Sequence, residues 1–156
     1  MWKPGGDKRG SNAAIWLAVL MLSACGGAST EPEEAIRAWL ENAETAAENR
    51  DRNALLSLIS DNYADARGND REAIGNMLRV YFLRQRNVSI VTKIDDISVS
   101  GYTAAQVLLT AGMAGRNDGV LGISADAWRF ELELEGDDDE WLLIGARWGE
   151  LGAELR

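Results

Sequence analysis

Apolar and polar residues change period twice along this chain. Over residues 31–50 the apolar positions Ile36, Trp39, Leu40, Ala43, Ala46 and Ala47 recur at intervals of three and four, while Arg37, Glu41, Glu44 and Glu48 fall on the opposite side. That spacing predicts a long amphipathic first helix. Thr30 can cap it, Glu33 completes a capping box, and Pro32 is tolerated in the first turn. Asp51 can cap a second, shorter helix carrying Leu55, Leu58 and Ile59. A loop rich in turn formers follows over 60–69. Asp70 caps a third helix, in which Ile74, Met77, Leu78, Tyr81 and Phe82 recur at helical spacing. Gly75 costs that helix about 1 kcal/mol relative to alanine, which points to close packing there.

From Asn87 the period falls to two. Val88, Ile90, Thr92 and Ile94 alternate with Ser89, Val91 and Lys93, and the apolar parity then reverses at Ile97 and Val99. A bulge at Asp95-Asp96 is the simplest cause, since one extra residue turns every later side chain to the other face. The stretch 102–113 becomes apolar on both faces and reads as a central strand. Residues 115–122 form a glycine-rich loop with an Asn-Asp-Gly turn. Over 127–135, Trp128, Phe130, Leu132 and Leu134 face one way and Arg129, Glu131, Glu133 and Glu135 the other. One dry face and one wet face mark an antiparallel strand. A turn at 136–139 leads to a last strand, 141–148, apolar on both faces except for Arg147. Three helices followed by four antiparallel strands give an α+β fold.

The N-terminal pattern is different again. Lys3, Lys8 and Arg9 precede an uncharged run over 13–22, and Leu22-Ser23-Ala24-Cys25 follows. A basic segment, a short apolar run and a small-residue cleavage site make a secretory signal. The run is shorter than the roughly 20 residues that span a bilayer. The cysteine at the cut resembles the lipobox of bacterial lipoproteins. That resemblance implies cleavage between Ala24 and Cys25, a diacylglyceryl thioether on Cys25 and an acylated new N-terminus. The expected organisation is a lipoprotein signal peptide over 1–24, a lipidated tether over 25–30 and one domain over 31–156. The tether reaches only about 20 Å when extended, so the domain would sit close to its membrane. Gly26 stands where an aspartate would, by resemblance, suggest retention at the inner membrane. Its presence favours the periplasmic face of the outer membrane.

Composition narrows the chemistry. The net charge is −9, and Lys93 is the only lysine beyond Lys8. Such a charge opposes a phosphate backbone, so nucleic acid is not an expected partner. It also opposes anionic headgroups, which leaves the lipid anchor to hold the membrane unaided. The chain has one cysteine and no histidine. A zinc site of His/Cys type, a serine–histidine triad and the commonest general base are thereby excluded. Asp137-Asp138-Asp139-Glu140 lacks the spacing of a calcium loop and reads as a solvated, edge-protecting charge run. The 115–122 loop lacks the Gly-Lys-Ser/Thr of a phosphate cradle. No cofactor or metal is expected.

The order of elements resembles the nuclear transport factor 2-like superfamily, whose cone-shaped α+β fold also holds ketosteroid isomerases and polyketide cyclases. Three stretches carry the resemblance. They are the long first helix followed by Leu55-Leu56-Ser57-Leu58-Ile59-Ser60-Asp61-Asn62-Tyr63, the third helix from Asp70, and the paired terminal strands ending Trp141-Leu142-Leu143-Ile144. The resemblance implies a curved sheet with the helices on its concave face and a pocket between them. Members include enzymes, ligand binders and interaction modules, so the fold alone does not settle function.

Trp39, Tyr63, Tyr81, Trp128 and Arg147 are the candidate ligand-binding residues. The aromatics lie on faces that should point inward. Arg147 either fixes an anionic or carbonyl group through its forked donors or emerges on the convex face and pairs with Glu131 or Glu133. Asp61, Asp65 and Tyr63 lie where isomerase-like members place pocket acids and a phenol, which could move a proton alpha to a carbonyl. Asp61 and Asp65 also read as turn and cap residues. The expectation is a non-catalytic, lipid-anchored envelope domain that binds a small apolar ligand or a partner protein. An isomerase- or dehydratase-like enzyme using Asp61 or Asp65 is the alternative. A dimer across the glutamate-rich face would desolvate several carboxylates, so a monomer or weak dimer is expected.

Overall fold

The computed structural model describes residues 31–116, 123–137 and 140–156. The expected signal peptide, Cys25 and tether lie outside the described residues, as do parts of the 115–122 loop and of the 137–140 acidic run. Three helices, α1 (Glu31–Glu48), α2 (Arg52–Ser57) and α3 (Arg71–Arg84), precede four strands, β1 (Asn87–Ser100), β2 (Ala104–Arg116), β3 (Ile123–Asp137) and β4 (Glu140–Glu150). The strands form one sheet in the order β1-β2-β3-β4, each antiparallel to the next.

The helix boundaries follow from local chemistry. Glu31, Glu33 and Glu34 lie in the first turn of α1, where carboxylates complement the helix dipole. The Asp51 carboxylate accepts from Asn53 N and Ala54 N at 3.0 Å each, which starts α2. Asp70 accepts from Ala73 N at 2.8 Å and starts α3. Between α1 and α2 the backbone of Arg50 is left-handed, with φ 56°. A side chain there costs energy that glycine would not. The Arg50 Nη1 group donates to the carbonyls of Gln85 and Arg86 at 2.9 Å each, tying the end of α1 to the chain just past α3.

The parity reversal in β1 is a bulge. Its register against β2 shifts between Ile94 and Asp96, so Ile94, Ile97 and Val99 all meet the same face of the sheet. A second shift, which the hydrophobic pattern does not signal, lies between Glu133 and Leu134 and lets Leu143 and Ala146 of β4 both join the core. α1 lays Ile36, Trp39 and Leu40 on this concave face, against Val107, Leu109, Leu132, Leu134 and Trp141. α3 instead packs on α2 and stands off the sheet. Ile74 reaches the core cluster, but Met77, expected on the packed face, is exposed together with Val80 and Leu83.

Parts of both sheet edges are covered. Along β4, Ser60 N donates to the Leu143 carbonyl at 3.0 Å, Ala64 N to Ile144 at 3.1 Å and Trp148 N to Arg156 at 3.0 Å. Along β1, Ile90 N donates to Glu48 at 3.1 Å and the Thr92 hydroxyl donates to Glu44. A covered edge offers no ladder to another chain. Burial, then the nearby Glu48 and Glu41 carboxylates, hold Glu44 above its ordinary value of 4.5, against the lowering contact with Thr92. A carboxyl with a raised native pKa binds its proton more tightly when folded. Its contribution to stability therefore falls as pH rises through the window above 4.5. Glu44→Gln should be at least as stable as the parent at neutral pH, and that advantage should vanish below the window. Urea midpoints at the two pH values measure this; a variant clearly weaker than the parent at neutral pH would contradict it.

Candidate functional site

The closed end of the cone is built from residues that the sequence pattern placed in a pocket. Trp39 is 7% exposed and Tyr63 3%, and both belong to the core cluster. They pack there because α1 and the loop after α2 both close onto the sheet at this end. Tyr63 donates to Asp65 Oδ2 at 3.5 Å. Burial, and then the Asp65 charge, push the phenol far up from its usual value.

Asp65 is itself buried and fully engaged. Its Oδ1 accepts from Arg67 N and Asn69 N at 2.8 Å each, and its Oδ2 accepts from Asn69 Nδ2 at 2.8 Å and from Tyr63. A carboxylate with four donors has little capacity left to take a substrate proton. Asp61 is 90% exposed at its side chain and pairs with Arg71 at 3.2 Å, outside the cone. Both positions follow the turn and cap reading rather than that of a pocket acid. The cause is local: short acidic side chains in a turn bond the nearest backbone donors.

Arg147 follows the second of its two readings, that of a convex-face ion pair. It is exposed directly across from Glu131 in the β3–β4 register and forms an ion pair with it. Gln106 donates to the same carboxylate at 2.5 Å. Strand alternation sends this trio to the convex face, opposite Phe130 and Leu132.

The other end of the cone differs. Tyr81 and Trp128 are half-buried. Tyr81 meets Phe82 edge-on at 5.9 Å. Burial and then the Asp126 carboxylate push its phenol up. Asp126 lies two residues before Trp128 and so shares its face of β3. Phe130 pairs with Trp148 one step deeper, and the Arg67 guanidinium covers the Trp148 ring at 4.4 Å. The half-buried Tyr81 of α3 and Trp128 of β3, with the Asp126 charge felt at the Tyr81 phenol, mark this end, the mouth of the cone. Asp126 lies one residue before the alternating stretch 127–135. Extending the alternation back to it finds a charge on the apolar parity. Of the five candidates, the structure leaves Tyr81 and Trp128 at the mouth, Trp39 and Tyr63 in the core, and Arg147 on the outer face. Among the described residues no helix is long and apolar enough to cross a membrane, and no group of three or more acidic, histidine or cysteine side chains could hold a metal ion.

The curved antiparallel sheet with helices on its concave side is the cone fold of nuclear transport factor 2-like proteins. No protein-family model matches the chain, and no curated protein matches it. Solved structures do. A protein from Novosphingobium aromaticivorans, provisionally assigned as a scytalone dehydratase, superimposes with a TM-score of 0.66 at 14% identity, over 78% of this chain and 89% of its own. A ketosteroid isomerase-like protein from Erwinia carotovora atroseptica gives 0.64 at 13% identity, over 80% of this chain and 99% of its own. A provisionally assigned dehydratase of the nuclear transport factor 2-like family from Streptomyces avermitilis gives 0.65 at 12%, over 77% and 97%. At these identities the likeness is one of fold.

Proposed function

We propose that the chain is a lipid-anchored envelope protein whose cone binds a small apolar ligand at its mouth without transforming it. The observation that carries the reading is the state of the candidate acids. Asp65 is saturated by four donors and Asp61 lies in solvent, while the mouth offers aromatic surface from Tyr81 and Trp128. Apolar walls with few polar groups suit binding. The anchor rests on the signal pattern and the lipobox-like Leu22-Ser23-Ala24-Cys25.

A neutral fluorescent probe such as N-phenyl-1-naphthylamine tests the cone. Trp128→Ala should weaken its uptake about tenfold, the effect of losing roughly 1.4 kcal/mol of aromatic contact. Circular dichroism must first show the variant folded. If the folded variant binds as tightly as the parent, or if neither binds, the mouth is no ligand site. In cells, Cys25→Ser should abolish fatty-acid labelling and leave an uncleaved precursor; labelling that persists would remove the anchor.

A second reading, an isomerase or dehydratase, is favoured by the names of the structural neighbours and by Asp126 beside Tyr81. The general base would then be Asp126 rather than Asp61 or Asp65. Asp126→Asn separates the two readings, because it should leave probe uptake intact and abolish turnover of any carbonyl substrate found.

A further inference from the structure

A second concave feature lies outside the cone. A cleft of about 650 Å³ opens where the α1–α2 junction meets α3, lined by Arg50, Asp51, Arg52, Asn53, Asn76 and Arg79. In a chain of net charge −9, this cleft gathers three guanidiniums and two side-chain amides against one carboxylate. That carboxylate, Asp51, is already held by two backbone N–H groups at the start of α2.

The arginines are positioned rather than merely present. Arg50 spends Nη1 on the Gln85 and Arg86 carbonyls, which fixes its guanidinium. It does so from a left-handed backbone that glycine or asparagine would adopt at lower cost. Arg52 donates Nε to the Gly75 carbonyl at 2.7 Å. A Cβ at position 75 would stand 2.6 Å from Arg52 Nη2. The glycine inside α3 therefore makes room for this side chain. Arg79 lies one turn beyond Gly75 on α3, and Asn76 and Arg79 are spaced by three, so both share a face. Arg79 is exposed and has no hydrogen-bond or ion-pair partner among the described residues.

We propose that this cleft binds a phosphoryl group, carried by inorganic phosphate or a small phosphomonoester. Guanidinium forks match the oxygen geometry of a phosphoryl group and bind it in pairs. A phosphomonoester carries about −1.5 to −2 charges at neutral pH, which matches three cations set against one carboxylate. The cleft lies at the end of α1 opposite Glu31. A chain anchored through Cys25 would meet its membrane at the Glu31 end, so a soluble ligand fits this position better than a headgroup of that membrane.

Calorimetric titration of the protein with inorganic phosphate and with glycerol 3-phosphate, in a zwitterionic buffer at low salt, tests the site. Both ligands should bind saturably at one site. Arg79→Gln removes an exposed side chain with no internal partner. It should weaken binding about tenfold, the loss of one charge-assisted contact, and leave the melting temperature unchanged. Arg84→Gln makes the same change of charge five residues further along α3, outside the cleft lining, and should leave binding within twofold of the parent. Gly75→Ala should weaken binding by displacing Arg52, although alanine favours the helix. The proposal is overturned if neither ligand binds saturably at millimolar concentration, or if Arg84→Gln weakens binding as much as Arg79→Gln. It is also overturned if only phosphatidylglycerol vesicles, and neither soluble ligand, engage the arginines.

Discussion

Asp65→Ala should lower the unfolding free energy by about 3 kcal/mol, a large share of the 5–15 kcal/mol that a domain of this size commonly has. The substitution removes the acceptor of four hydrogen bonds at once. Two of the donors, Arg67 N and Asn69 N, are backbone groups of the turn itself, and a third is the buried Tyr63 phenol. A buried donor left without a partner costs roughly 1–3 kcal/mol; Arg67 is exposed and Asn69 half-buried, so water recovers part of it. The loss spreads further, because the same loop covers the outer edge of β4 through Ser60 and Ala64. Asp65→Asn retains one acceptor oxygen but turns an amide donor toward Asn69 or Tyr63, so it should fall between parent and alanine variant. Urea denaturation measures all three. An alanine variant with the parent's midpoint would show that the carboxylate is not structural and would return it to consideration as a pocket acid.

Trp39→Ala should cost about 3–5 kcal/mol, the range for deleting a large aromatic from a packed core. The indole sits between α1 and the sheet at 7% exposure, in the same cluster as Ile36, Val107 and Leu134. Its ring nitrogen has no hydrogen-bond partner among the described residues. Trp39→Phe deletes that stranded donor while retaining most of the ring. It should therefore cost clearly less than Trp39→Ala, since the cavity it leaves is smaller. A Trp39→Ala loss below 1 kcal/mol would mean that the closed end of the cone is open to solvent rather than packed. The comparison also bears on function, since a filled closed end confines any ligand to the mouth between Tyr81 and Trp128.

Much of the architecture was legible in the sequence. Asp51 and Asp70 announced the starts of α2 and α3, because a short acidic side chain satisfies the first free N–H groups of a helix wherever the fold places it. The reversed parity after Ile94 announced the bulge, because a strand has no other way to keep Ile97 and Val99 on the inner face. Gly75 announced a close approach, and the structure shows the approaching group to be Arg52.

The site was less legible, and the reason is the same in each case. Hydrophobic period says which face of an element is dry, but not what covers it. Trp39 and Tyr81 share one signature along their helices. Only the packing of α1 on the sheet, with α3 standing away from it, buries the first and leaves the second at the mouth. Arg147 read as the single charge in an apolar strand. Its role was decided by a register that sets it opposite Glu131. Asp65 read equally as acid or turn former until three dimensions counted its donors. The arginine cleft joins residues from α1's end, α2 and α3 that share no local pattern. By itself the sequence determined what nearest-neighbour chemistry controls: helix starts, strand parity, the bulge, the absence of histidine and the acidic surface. The tertiary structure alone decided what depends on distant residues meeting, namely which aromatics are core, which carboxylates are saturated, and where cations converge.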